Sequence, residues 1–148
     1  IELQALVSGS PLPMPRRTAI GIDHNKVSLL VAVLEKKMHL NLYNNDIYVN
    51  IAGGVRIGEP AIDLSIISSV SSSFLNKPID QKLVTIGEVG LTGEIRAVGS
   101  IEKRIQESSK IGFTKCIVPK SNMKKLKLNL PIEIMGIDTI YELFNLIF

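Results

Sequence analysis

Eight polar residues near the middle of the sequence have the type and spacing that could support catalysis. Glu59 and Asp63 lie about one helical turn apart, so a paired-carboxylate site for acid and base chemistry is conceivable. We favour a simpler interpretation, in which acidic charge at a helix start complements the helix dipole. The other six of these eight residues are serines that follow on the same predicted helix, where such residues usually allow close packing or face water. They are Ser65, Ser68, Ser69, Ser71, Ser72 and Ser73.

Basic residues on predicted loops are the candidates for phosphate contacts, because guanidinium groups in such positions suit backbone phosphates. Four arginines qualify, namely Arg16, Arg17, Arg56 and Arg96. A second basic cluster contains no acidic residue, and a solvated face explains it as well as a binding surface does. It consists of Lys120, Lys124, Lys125 and Lys127.

Metal and nucleotide sites have little support in the pattern of residues. His24 and His39 lack the Cys or paired-His spacing of zinc sites. The glycines match neither a Walker A loop nor a dinucleotide fingerprint. We therefore expect no metal ion and no cofactor in this chain. The single cysteine, Cys116, excludes an internal disulfide, fits a reducing compartment and lies in an apolar strand.

The composition is typical of a soluble globular protein with an aliphatic core. Of 148 residues, 45% are hydrophobic and only 5% aromatic, with no Trp. This length suits one domain or two tightly joined halves, with a soft boundary at residues 53–59. The formal net charge of +3 permits contact with nucleic acid without requiring it. No apolar run is long enough to span a bilayer, so we expect no membrane contact.

The apolar patterns predict interleaved strands and helices, hence an α/β protein with a mixed sheet. Strands are predicted at residues 1–7, 16–22, 39–43, 47–51, 115–118 and 132–137, with a hairpin joining the third and fourth. Two further short strands flank Leu91-Thr92-Gly93. Helices are predicted after the N-caps Asp23, Ser100 and Thr139 and from Pro60 to about Leu75. Gly112 is placed for a left-handed helix end.

The segment Gly87-Glu-Val-Gly-Leu-Thr-Gly-Glu-Ile-Arg-Ala-Val-Gly-Ser-Ile-Glu-Lys-Arg resembles a motif of Lon-type ATP-dependent proteases. That motif runs roughly Gly-Glu-x-x-Leu-x-Gly-x-Val-x-Pro-Ile-Gly-Gly-x-Lys-Glu-Lys, and its catalytic lysine falls on Glu102. The family's nucleophilic serine, in Asp-Gly-Pro-Ser-Ala-Gly, falls on Ala61, and a threonine common beside the dyad falls on Ile86. A serine–lysine dyad needs a hydroxyl and a neutral amine, which Ala61 and Glu102 do not supply. The resemblance thus implies the Lon fold without peptidase activity.

Within this group, most of the chain resembles the C-terminal domain of the RadA (Sms) family of DNA repair proteins, regarded as non-proteolytic. The matching segments include Pro15-Arg-Arg-Thr-Ala-Ile-Gly-Ile-Asp23, Tyr48-Val-Asn-Ile-Ala-Gly-Gly-Val-Arg56 and Glu59-Pro-Ala-Ile-Asp-Leu64. The implied fold is the one that Lon proteolytic domains share with the second domain of a small-subunit ribosomal protein. The implied parent carries a zinc finger and a RecA-like ATPase core, so ATP, Mg and Zn are expected only in those missing parts.

The resemblance also implies partners and a location. We expect a single Lon-protease-like domain over residues 1–148, cut from a longer protein because the chain opens on Ile1 without Met. It would support a homo-hexameric ring and bind single-stranded or branched DNA during branch migration, in a bacterial cytoplasm or an organelle of bacterial descent. The four arginines are the expected DNA contacts. Two alternatives stay open: an active peptidase with a displaced nucleophile, and a purely structural oligomerisation module.

Overall fold

The computed structural model describes residues 1–148, and the chain divides into two compact units. One unit contains residues 1–59 and 65–78, and the other contains residues 60–64 and 79–148. The first division follows Glu59, at the end of the loop that the sequence marks as a soft boundary. That residues 1–148 form one domain stays a prediction.

A three-stranded mixed sheet is the frame of the first unit. Its strands are β1 (Leu3–Gly9), β2 (Arg17–Ile20) and β3 (Asn45–Ile51), in the order β1-β3-β2. β1 runs antiparallel to β3, with Leu3 opposite Ile51, and β2 runs parallel to it. The expected mixed sheet is therefore present in this unit.

Two helices supply the rest of the first unit. α1 (His24–Met38) begins at Asp23, whose carboxylate accepts the Asn25 N–H as the sequence predicts. α2 (Asp63–Leu75) belongs to this unit from residue 65 onward, and its Ser73 hydroxyl accepts the backbone N–H of Val7. The core is aliphatic, as expected from the lack of Trp. Its buried residues include Val27, Leu30, Leu34, Leu42, Ile47, Val49, Ile51, Ile66, Ile67 and Val70.

The second unit contains a parallel sheet and a separate hairpin. Its strands are β4 (Leu83–Thr85), β5 (Glu88–Val89), β6 (Ile95–Arg96), β7 (Lys115–Pro119) and β8 (Glu133–Ile137). β4, β7 and β8 form an all-parallel sheet with β7 in the centre. β5 and β6 form the predicted antiparallel hairpin, and Gly93 in its turn has the positive φ of 83° that the turn requires.

Three helices complete the second unit. They are α3 (Ile101–Lys110), the short α4 (Lys120–Met123) and α5 (Ile140–Ile147). Gly112 adopts a φ of +100° after α3, and the Thr139 hydroxyl accepts the Glu142 N–H at the start of α5, so both predicted helix signals are confirmed. None of the helices in this chain combines the length and the apolar character that crossing a membrane demands.

Two local predictions are wrong. Residues 39–44 form no strand, and β3 pairs with β1 and β2 instead of with a hairpin partner. The reason is that Leu42 is fully buried in a loop. The Arg17 guanidinium donates a hydrogen bond to the Leu42 carbonyl and holds this loop in place. Ser100 precedes α3 as predicted, but its φ of 58° is left-handed and its side chain makes no capping hydrogen bond.

Candidate functional site

The position that aligns with the Lon nucleophile is fixed by backbone contacts within the second unit. The Gly87 N–H donates to the Ala61 carbonyl at 3.0 Å, and the Leu64 N–H donates to the Gly87 carbonyl at 3.1 Å. A Cβ at Gly87 would lie 2.7 Å from Leu64 Cδ1, so a larger residue here would force the buried Leu64 side chain to move. The start of the glycine-rich motif is thus held directly against the 60–64 segment.

The surroundings of Ala61 are apolar. Ala61 is 6% exposed and lies in a cluster with Ile86, Ile101, Ile105 and buried residues of β7. Ala61 and Ile86, which the motif alignment predicts at hydroxyl-bearing positions of Lon-type peptidases, therefore belong to one aliphatic cluster. A polar reaction intermediate would have no hydrogen-bond donor among these side chains.

Asp63 has a structural contact that the sequence did not reveal. Its side chain is fully buried, and Oδ2 accepts the Val89 N–H at 3.1 Å, which attaches β5 to the start of α2. Helix-dipole complementarity was the expected role of Asp63. The sequence signal for its further role is that Asp63 lies between the apolar residues Ile62 and Leu64, where a carboxylate that is buried needs a hydrogen-bond donor.

Glu102, at the position of the Lon lysine, lies in the first turn of α3 with an exposed side chain. It lines an open cleft of about 310 Å³, of which Ala61 is not a lining residue. The lining residues are Val98, Ser100, Ile101, Glu102, Ser121, Asn122 and Lys125. The Asn122 side chain fixes one wall, because it accepts the Val98 N–H and donates to the Val98 carbonyl.

This cleft contains hydroxyls and an amine, yet they are not arranged as a dyad. No hydrogen bond joins Lys125 to Ser100 or Ser121. A serine nucleophile needs an adjacent base within hydrogen-bond reach, so the cleft can bind a polar group but offers no activated hydroxyl.

The serines of α2 have mostly structural positions. The Ser72 hydroxyl donates to the Lys77 carbonyl at the helix end, and Ser73 binds β1 as described above. Ser68 and Ser71 are buried, and their hydroxyl oxygens have no hydrogen-bond partner. These two small side chains allow close packing, which is one of the two roles that the sequence predicts for serines on this helix.

Arg17 uses its guanidinium within the first unit. The side chain is half-buried and donates to the backbone carbonyls of Asn45 and, at 3.1 Å, Leu42. These bonds hold the loop before β3 against β2. The guanidinium that would contact a phosphate is thus already engaged.

Arg16 is exposed and lies beside a buried carboxylate. Its backbone N–H donates to Asp46 Oδ1 at 2.7 Å, and this hydrogen bond is the main reason that the pKa of the Asp46 carboxyl lies below its usual value. The positive charges of Arg16 and Arg17 act in the same direction. Asp46 therefore remains charged and offsets part of the positive charge at this end of β2.

Arg56 is exposed in the loop at the other end of β2. The neighbouring Ile57 donates its N–H to the carbonyl of Gly21, which directly follows β2. Positions 16 and 21 are separated by about 16 Å of extended chain. The structure therefore does not bring Arg16 and Arg56 together. Arg96 is exposed on β6 in the second unit.

We predict different results for two single substitutions in this region. Arg17→Ala should lower the free energy of unfolding by about 1–3 kcal/mol, because two backbone carbonyls lose a charged donor. Arg16→Ala should change the free energy of unfolding by less than about 0.5 kcal/mol, because its side chain is exposed. Urea unfolding of both variants checks this. An Arg17→Ala protein that is as stable as wild type would show that the two carbonyl contacts do not stabilise the fold.

Cys116 is fully buried in β7, and burial raises the pKa of its thiol to about 12. We expect the native protein to react with iodoacetamide at pH 8 at least about 10³-fold more slowly than the urea-unfolded chain, because the thiolate is the reactive form. Mass spectrometry after timed alkylation gives both rates. Equal rates would mean that β7 is open to solvent.

No three His, Cys, Asp or Glu side chains meet at a point where a metal ion could be held. The lysines of the second basic cluster, Lys120, Lys124, Lys125 and Lys127, are all exposed.

The geometry and the sequence together agree with a known family. Residues 25–143 match the Lon protease (S16) C-terminal proteolytic domain, so this chain belongs to that family. Its mixed α/β architecture of small sheets is consistent with that fold, as the sequence predicted.

Curated relatives of this chain include DNA repair proteins. The chain is 49% identical over 142 residues to DNA repair protein RadA of Halalkalibacterium halodurans and to that of Bacillus subtilis, covering 96% of the chain and 31% of each relative. It is 45% identical over 147 residues to DNA repair protein RadA of Streptococcus pneumoniae, covering 99% of the chain and 35% of that relative. The chain thus spans about a third of the length of the curated relatives it matches.

Proposed function

We propose that this chain is a non-catalytic scaffold domain of a RadA-like DNA repair and recombination ATPase, which supports hexameric ring assembly and DNA binding during branch migration. The observation that carries the proposal is the aliphatic cluster around Ala61, in a chain 49% identical to DNA repair proteins over most of its length. ATP, Mg²⁺ and Zn²⁺ are then used by other parts of the parent protein. It acts in a bacterial cytoplasm or in an organelle of bacterial descent.

The absence of catalysis in this proposal follows from the two dyad positions. A methyl group at residue 61 cannot attack a carbonyl, and a carboxylate at residue 102 cannot act as the neutral amine that takes the proton. Ile86, in the same cluster as Ala61, is a third replacement and the second apolar one.

DNA binding in this proposal depends on exposed guanidinium groups. Arg16, Arg56 and Arg96 have exposed side chains, whereas Arg17 serves chiefly to hold the loop before β3. Contacts of this kind neutralise phosphates without reading sequence, which suits a protein that tracks single-stranded or branched DNA.

Ring assembly requires an exposed surface that another copy can cover, since a closed ring is built from heterologous contacts. The outer face of the β1-β3-β2 sheet has such residues. Leu6 is 59% exposed opposite Tyr48, and Ile20 is 57% exposed opposite Asn50. Gln4, Thr18 and Asn50 lie on the same face, so Leu6 and Ile20 are the apolar part of a mixed surface that another copy could cover.

Sedimentation equilibrium of the chain tests assembly directly. We expect a sixfold mass for wild type and a monomer mass for the double variant Leu6→Glu, Ile20→Glu. The matched control, Leu12→Glu with Met14→Glu, adds the same charge at exposed loop residues and should keep the sixfold mass. A wild-type monomer at high concentration would refute assembly by this chain alone.

A further inference from the structure

Residues 120–131, named here the basic strap, carry the positive excess of the whole chain. The segment reads Lys-Ser-Asn-Met-Lys-Lys-Leu-Lys-Leu-Asn-Leu-Pro and contains four lysines and no acidic residue. Since the chain has a formal net charge of +3, the other residues together carry −1. The positive charge of this protein is therefore local, and a polyanion would be attracted to the strap before any other segment.

The strap presents its lysines outward on a fixed support. After α4, side chains alternate between half-buried and exposed from Lys125 to Pro131, which is the period of an extended segment. Leu126, Leu128 and Leu130 pack against the aliphatic cluster that contains Ala61. The partial burial of these leucines holds the backbone. The exposed Lys125, just before Leu126, and Lys127, between Leu126 and Leu128, therefore point away from the core.

The ammonium groups of the strap are largely free of internal partners. Lys120 lies 3.8 Å from Asp138, and no salt bridge engages Lys124, Lys125 or Lys127. Elsewhere in the same unit, Lys110 pairs with Glu107 and Lys115 with Asp80. Three of the strap's four charges can therefore bind an external anion without breaking an existing ion pair.

We propose that the basic strap binds the phosphate backbone of nucleic acid, in addition to the candidate arginines. This inference rests on the proposed function and gives it a second contact region. Lysine is a hydrated point charge without the forked geometry of arginine, which suits phosphate contacts that do not depend on sequence. An anionic membrane fits less well, because the leucines face the core and Met123 is the strap's one exposed large apolar side chain.

Fluorescence anisotropy with a labelled single-stranded oligothymidylate, repeated over a range of salt concentrations, tests the proposal. The test variant is Lys124→Gln, Lys125→Gln, Lys127→Gln. The matched control is Lys36→Gln, Lys77→Gln, Lys82→Gln, which removes the same charge from exposed lysines outside the strap. Circular dichroism and thermal midpoints verify that both variants are folded as wild type.

We expect the log–log salt slope of the test variant to be smaller by about 2, which corresponds to three lost contacts on a single strand, while the control keeps the wild-type slope. Equal losses in both variants would show a response to overall charge and overturn the proposal. A wild type that binds DNA while the test variant keeps its full slope would remove the strap and leave the proposed function intact. A wild type that binds phosphatidylserine vesicles but no DNA would overturn both.

Discussion

Peptide hydrolysis by this chain is expected to lie at least on the order of 10⁶-fold below that of an active serine–lysine peptidase. The loss is this large because nucleophile and base act as one unit. Ala61 offers a methyl group inside an aliphatic cluster, and Glu102 lies in an exposed cleft that Ala61 does not line. Under the proposed alignment, neither half of the unit is present.

A fluorogenic peptide assay with Lon-type substrates measures this rate. The informative variants replace each of the six α2 serines by Ala in turn, because the rival function needs one of these hydroxyls as its nucleophile. Under our account, wild type and all six variants match the buffer blank. Wild-type turnover that disappears in one serine variant would instead establish the rival function.

The second large effect is expected from Ile105→Ala. Ile105 is fully buried on α3, in the cluster that contains Ala61 and supports the leucines of the basic strap. Removing its side chain atoms costs both their transfer from water and the cavity that remains, so we expect the free energy of unfolding to fall by about 2–5 kcal/mol. The strap should lose part of its support at the same time.

Ile111→Ala is the matched control for this substitution, since Ile111 directly follows α3 and is 69% exposed. Its effect should lie within about 0.5 kcal/mol. Urea denaturation followed by circular dichroism compares the two variants. Equal effects at positions 105 and 111 would mean that the cluster is not the core of this unit.

Features that depend on neighbouring residues were predicted well from the sequence. Asp23 and Thr139 cap their helices with their own side chain oxygens, and the β5–β6 hairpin depends on a glycine in its turn. The family motif assigns Ala61 and Glu102 to the dyad positions by alignment alone, and that assignment stays a prediction. These features need no knowledge of distant parts of the chain.

Features that depend on distant contacts were not predicted. Residues 39–43 resemble a strand in their pattern, but Arg17 binds the carbonyl of Leu42 across 25 positions and holds a loop there. The pairing of β1 with β3 is set by a register over about 40 residues, which no local pattern encodes. The outward direction of the strap lysines follows from the packing of Leu126 and Leu128, which became apparent only with the cluster in view.

An anisotropy titration of the wild-type chain with a labelled single strand, at several salt concentrations, decides whether this chain binds DNA. We predict saturable binding at low salt and a steep negative log–log slope, because exposed Arg and Lys side chains would release counterions from phosphates. A folded sample that leaves the single strand unbound at low salt would contradict the account.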